Sequence, residues 1–225
     1  MRTTFLATLL ASGSALAASQ DRDVPAFDAV QLTAGMRGKI AIGPRRPVHL
    51  EAPEEILARL ETVVEDGKLI VRFKEGMVRW SDGSGIRVTI QTPELHGVGA
   101  SGGSIVEAAM TRGERGRIEA SGGSEVHVRD VDAAAVKLRA SGGSVVEIHG
   151  AADTLDAQLS GGSRLEGGDL AVRDLDVEGS GGAVVEIRVS DVVRGALSGG
   201  SRVHVRGRPR TRVVSSGGSG VDLDG

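Results

Sequence analysis

The sequence predicts an all-β protein: a single-stranded, right-handed parallel β-helix (β-solenoid) with coils of 18–20 residues and an irregular N-terminal capping part. Three observations predict it. The tripeptide Ser-Gly-Gly recurs seven times, beginning at Ser101, Ser121, Ser141, Ser160, Ser180, Ser198 and Ser216, at intervals of 20, 20, 19, 20, 18 and 18 residues. Apolar residues alternate with polar ones on either side of each copy, the period of a strand with one buried face. Glycine is abundant, 34 of 225 residues, while the large aromatics amount to three Phe, one Trp and no Tyr. A thin aliphatic core has no room for many large rings, whereas an ordinary two-layer globule uses them freely. Glycine does not recur at every third position, which excludes collagen. The 40% hydrophobic content excludes a disordered chain.

The chain opens on a segment that reads as a signal peptide over residues 1–17. Arg2 is its basic start, the stretch from Phe5 through Leu10 begins its apolar part, and Ala15-Leu16-Ala17 is an A-x-A cleavage site. The segment is short for a bilayer span, and no later apolar run reaches the ~18 residues a transmembrane helix needs. Residues 18–25 read as a short linker. Cysteine is absent, so there is no disulfide, thiolate zinc site or acylated cysteine. The net charge of −3 offers no electrostatic attraction to nucleic acid.

Residues 26–100 lack Ser-Gly-Gly but are rich in strand patterns: Ala29–Leu32, Lys39–Ile42, Val48–Glu51, Lys68–Phe73 and Ile86–Gln91. Asp66-Gly67 between two β-branched runs reads as a hairpin turn. Pro53 to Leu60 reads as one or two helical turns, with proline near the start and acids in the first turn. Ser81–Gly85 reads as a loop. This part is expected to form the first coils and the cap, since terminal repeats of a solenoid must be atypical to close its core. A separate small β domain is the alternative.

Residues 101–225 are the regular coils, each a strand, a Ser-Gly-Gly corner, a second strand and a variable third segment. Val106, Val126, Val146, Leu165, Val185, Val203 and Val221 form an apolar column after the corner, and Val98, Ile118, Leu138, Ala157, Val177, Gly195 and Val213 a mostly apolar one before it. Neither the leucine-rich pattern nor the ~40-residue blade of a propeller fits this period. The right-handed coil follows from the chirality of parallel crossovers. The corner glycines are Gly102 and Gly103, Gly122 and Gly123, Gly142 and Gly143, Gly161 and Gly162, Gly181 and Gly182, Gly199 and Gly200, and Gly217 and Gly218. They are expected to turn the chain at positive φ, and the flanking serines to satisfy corner backbone groups.

The segments FDAVQLTAGMRGKIAIG, LETVVEDGKLIVRF, IRVTIQTPELHGVGASGGS and VRGRPRTRVVSSGGSGV, with the coils between them, resemble the bacterial putative auto-transporter adhesin, head GIN domain family. The likeness spans nearly the whole mature chain and rests on the order and spacing of degenerate motifs. It implies an exported parallel β-helix with no established activity, and it carries over no catalytic residues.

Between the apolar column after each corner and a second one two residues further on, Ala108, Val128, Ile148, Gly167, Ile187, Val205 and Leu223, stand Glu107, His127, Glu147, Glu166, Glu186, His204 and Asp222, an outward ladder. Stacked carboxylates repel one another and could draw in a cation such as Ca²⁺. The reading preferred here is a solvated face, its charge offset by Arg129, Arg164, Arg188, Arg202 and Arg206 across neighbouring strands. The ending GGSGVDLDG imitates the calcium repeat G-G-x-G-x-D-x-U-x, but Asp224 stands at its apolar position. Gly99-Ala100-Ser101-Gly102-Gly103 matches G-x-S-x-G, whose chemistry needs a strand-turn-helix setting and a partnered His. Here it is one copy of a structural repeat. His49, His96, His127, His149 and His204 show no metal-ligand spacing within a coil.

No catalytic, metal or cofactor residues are therefore assigned. The expected function is a non-enzymatic, exported, adhesin-like structural or interaction module of the bacterial cell envelope. It would be periplasmic, secreted or associated with the cell surface. Its partner would be an envelope protein or a surface glycan, not nucleic acid. A carbohydrate-active β-helix enzyme of polysaccharide lyase or hydrolase type is the alternative, opposed by a chain that offers only Phe73 and Trp80 as stacking platforms. A cation-binding solenoid is the third reading.

Overall fold

The computed structural model describes residues 17–74 and 85–225. The expected leader up to Leu16, the loop Ser81–Ser84 and Trp80 lie outside them. Strand accounts for 68% of the structure and helix for 2%. So little helix cannot cover a sheet face, and the sheet must bury its apolar side against itself.

The elements are β1 (Ala17–Arg22), β2 (Ala29–Leu32), β3 (Arg37–Ile42), β4 (Val48–Pro53), α1 (Glu54–Leu57), β5 (Leu60–Glu65), β6 (Lys68–Phe73), β7 (Arg87–Thr92), β8 (Gly97–Ser101), β9 (Ile105–Ala109) and β10 (Gly113–Ser121). Four long bent strands follow, β11 (Glu125–Ala140), β12 (Val145–Leu159), β13 (Arg164–Gly179) and β14 (Val184–Leu197), then β15 (Arg202–Arg206), β16 (Arg210–Ser215) and β17 (Gly220–Asp224). The regular coils stack in parallel as a β-solenoid of about six turns. Both apolar columns run in register: Val98, Ile118, Leu138, Ala157, Val177, Gly195 and Val213 pair in succession, as do Val106, Val126, Val146, Leu165, Val185, Val203 and Val221. One buried apolar cluster runs from Phe27 to Val205.

Register slips only in the third segment, between Val128 and Val131, Glu147 and Gly150, Gly167 and Ala171, and Val172 and Asp174. That side absorbs the difference between coils of 18 and 20 residues, so the corners stay aligned. Both corner glycines adopt positive φ, for example +66° at Gly142 and +75° at Gly143. A Cβ on Gly142 would stand 3.1 Å from the backbone nitrogen of Gly122 in the coil below, while one on Gly143 would meet open space. The inner serines Ser104, Ser124, Ser144, Ser163 and Ser201 are no more than 1% exposed. Their hydroxyls donate to strand-end carbonyls: Ser124 to Ala100 at 3.0 Å, Ser144 to Ala120 at 3.1 Å and Ser163 to Ala140 at 3.1 Å. Buried carbonyls at a corner are thereby paired.

The N-terminal part joins the same sheet in an order that differs from the chain. β2 lies parallel to both β6 and β8, and β3 parallel to both β7 and β9. The coil β2–β3 is thus inserted between the coil of β6 and β7 and the coil of β8 and β9. Its corner, Thr33-Ala34-Gly35-Met36, sits over Ser101–Ser104. Ala34 and Gly35 take φ of +68° and +79°, and the Ser104 hydroxyl accepts the N–H groups of Gly35 and Met36 at 3.2 Å each. This is a degenerate eighth corner that the tripeptide count passes over.

The outermost strands reverse direction. β5 and β6 form the hairpin around Asp66-Gly67, and β4 lies antiparallel to β7. α1 is a single turn of four residues following Pro53. Residues 18–25, expected as a linker, depart from that expectation. β1 pairs antiparallel with β4 over Ala17 to Arg22, with Asp21 opposite His49. The polar run Ser-Gln-Asp-Arg carries no period-two pattern because β1 is held by backbone pairing and by its charged side chains. The Arg22 guanidinium donates to the carbonyls of Leu57 at 2.8 Å and Leu60 at 3.0 Å.

Candidate functional site

The outward ladder is in register from end to end. Glu107, His127, Glu147, Glu166, Glu186, His204 and Asp222 stand opposite one another on successive strands, and Lys39 on β3 extends the column beyond Glu107. Lys39 was missed in the sequence because it precedes any Ser-Gly-Gly, although the Ala34-Gly35 corner two residues before β3 would have placed it.

Two histidines converge on one carboxylate. His127 Nδ1 lies 2.6 Å from Glu147 Oε2, and His149 Nε2 lies 2.9 Å from Glu147 Oε1. Hydrogen bonding to His127, and next to His149, holds the Glu147 carboxyl below its ordinary value. His204 lies 3.4 Å from Asp222 in the same manner. At the other end of the molecule Asp21, at 2.6 Å, raises His49 above its usual value by hydrogen bonding.

The expected arginine neutralisation needs correction. Arg164 alone reaches the ladder, at 3.3 Å from Glu186 and 3.9 Å from Glu166. Arg129, Arg188, Arg202 and Arg206 have no carboxylate within 4.0 Å among the described residues. All five arginines lie two positions along their strands from a ladder residue, so none is in register with its carboxylates, and of the five only the Arg164 side chain leans across to them. Arg188, for instance, stands opposite Arg206.

Among the described residues no three His, Cys, Asp or Glu side chains are grouped to hold a metal ion. Gly99 to Gly103 runs from β8 into a corner and on to β9, strand–corner–strand rather than the strand–turn–helix of a nucleophile elbow. Asp224 is exposed on β17.

Open grooves cross the coils, and two of them run over four or more successive coils. One, of about 620 Å³, follows the outward column before the corners, where Glu119, Arg139, Gln158 and Glu178 flank Ser141 and Ser160. The other, of about 1030 Å³, lies along the third side. Its floor is small, with Ala133, Ala152 and Val172, and its rim carries Arg188, Arg206 and Arg208. Arg188 and Arg206 are like charges directly opposite in register, an arrangement that destabilises a sheet unless a counter-charge arrives. Toward the N-terminal end the same groove is balanced: Arg112 lies 3.4 Å from Asp132, and Asp153 stands beside them.

Stacked parallel coils with serine-lined corners and side grooves define a parallel β-solenoid. The family model of the putative auto-transporter adhesin, head GIN domain, matches residues 26–209, and the chain belongs to that family. Solved structures share the fold. A putative adhesin from Bacteroides fragilis superposes with a TM-score of 0.80 at 15% identity, covering 94% of this chain and 98% of that one. A putative adhesin from Parabacteroides merdae gives 0.70 at 16%, covering 95% and 98%. A putative lipid binding protein from Parabacteroides distasonis gives 0.68 at 12%, again covering 95% and 98%. No curated protein matches the chain. No helix among the described residues is long and apolar enough to cross a membrane.

Proposed function

We propose that the chain is an exported, non-enzymatic, adhesin-like module of the bacterial envelope that binds a surface glycan through its long side surface. The observation that carries this reading is the third-side groove, where Arg188, Arg206 and Arg208 have no carboxylate within 4.0 Å among the described residues. Guanidinium groups are planar donors suited to carboxylates and sulfates, and their alignment across coils suits a linear anionic chain. An apolar floor of alanines lets such a chain lie close. The membership in an adhesin family supports a binding role, and the pairing of Glu147 with His127 and His149 supports a ladder that is structural.

The test is retention of the mature chain, starting at Ala18, on an immobilised uronic-acid polysaccharide and on a neutral one. Selective retention on the acidic polymer, weakened by salt and lost in Arg188→Ala/Arg206→Ala/Arg208→Ala, is the expected outcome. Equal retention of the triple variant would refute the groove. Cell fractionation tests export, and recovery in the cytosol alone would defeat it.

A further inference from the structure

The C-terminal coil is asymmetric in charge and open on one side. β16 is paired to β14 and β17 to β15, and among the described residues neither has a strand on its outer side. Outward positions of β16 are basic, Arg210 and Arg212, while those of β17 are acidic, Asp222 and Asp224. Toward the core, Val213 and Val221 are only partly covered. Leu223 is 48% exposed and, on the outer face, Val214 is 74% exposed. Arg212 stands opposite Arg194, again like charges in register, and neither has a carboxylate within 4.0 Å among the described residues. An edge of this kind is a template for another strand.

The two halves of the coil complement each other. Reflected about Gly217 in the corner, Arg212 falls on Asp222, Arg210 on Asp224, Val213 on Val221, and Thr211 on Leu223. Two such stacks can meet end to end about a two-fold axis perpendicular to their length. A two-fold passing through the corner lays β16 of one copy antiparallel on β17 of another, and β17 on β16, with equal gaps in both pairs. Basic positions then meet acidic ones on the outside, and valine meets valine on the inside.

We infer that two copies of this chain associate end to end through their C-terminal coils, β16 pairing antiparallel with β17 of the second copy. The opposite end is of another kind: there the coil of β6 and β7 is flanked by the antiparallel strands β5 and β4, and among the described residues the edges left open belong to β5 and β1. The contact is isologous and closes at two copies instead of growing into a fibre. It holds whatever the third-side groove binds.

Mass measurement by sedimentation across a dilution series tests this. The mature chain is expected at twice its monomer mass when concentrated. Arg210→Glu/Arg212→Glu and Asp222→Arg/Asp224→Arg are each expected as monomers, because both of their edge pairs then carry like charges. An equimolar mixture of the two is expected to recover the doubled mass, since each altered edge meets its opposite. Arg212→Glu alone, which leaves the Arg210–Asp191 pair at 2.7 Å intact, should weaken the dimer measurably. A wild-type chain that stays monomeric at every concentration overturns the inference. So do double variants that dimerise as well as wild type, or a mixture that remains monomeric while each variant melts cooperatively.

Discussion

At the scale of single residues, the corner concentrates the constraints. At Gly142 two of them coincide, positive φ and the 3.1 Å approach to the next coil's backbone. Gly142→Val should therefore cost at least ~2 kcal/mol in denaturant unfolding, since a β-branched residue in the left-handed region is strained before any clash is counted. Unchanged stability would remove the corner argument. Ala34 is the reverse case, an L-residue already held at φ +68°. Releasing that strain in Ala34→Gly gains about 1–2 kcal/mol, and the looser unfolded chain returns about 0.4–1 kcal/mol. A net rise in stability is the expected result, readable as a higher unfolding midpoint. Glu147 supplies a pH dependence. Its carboxyl is depressed in the folded state, so its contribution is present above the ordinary carboxylate range and disappears as pH falls through its lowered value. The melting difference between wild type and Glu147→Gln should shrink across that acid window. A difference independent of pH would mean that the two imidazoles do not hold the charge.

At the scale of elements, the columns were legible because the same chemistry recurs at the same place in every coil. Val126, Val146 and Val185 face one core, and each can be read from its neighbours' identity as well as its own. The hairpin of β5 and β6 was legible for a local reason, since Asp66-Gly67 supplies both positive φ values of its turn. What escaped was whatever depends on distant pairing. β1 is polar and looks like a tether, yet β4 gives it a backbone partner. The coil of β2 and β3 hid because Ala34 and Met36 replace a glycine and a serine, their fit decided by Ser101 and Ser104 at the corner between β8 and β9. The surface chemistry was only half legible: the register of the ladder followed from spacing, but which arginine reaches which acid did not. Long side chains on one face choose among several neighbours, and Arg164 found carboxylates where Arg188 met Arg206.

At the scale of the whole molecule, the two ends differ in kind. The N-terminal end is closed by reversed strands and one helical turn, while the C-terminal coil keeps an open, charge-divided edge. Stability in such a stack is close to a sum over neighbouring coils, so each regular coil supports only those it touches. The insertion of β2 and β3 is the exception. Ala29 pairs with Gly97, 68 positions later in the chain, and with Lys68 on its other side. No stack can begin there as the chain emerges; the regular coils can zip from one to the next, whereas this one waits for a long loop to close over it. Its expected place in the order of folding is therefore opposite to its place in the sequence: among the first coils along the chain, it should be among the last to be completed, while the β5–β6 hairpin can form locally beforehand.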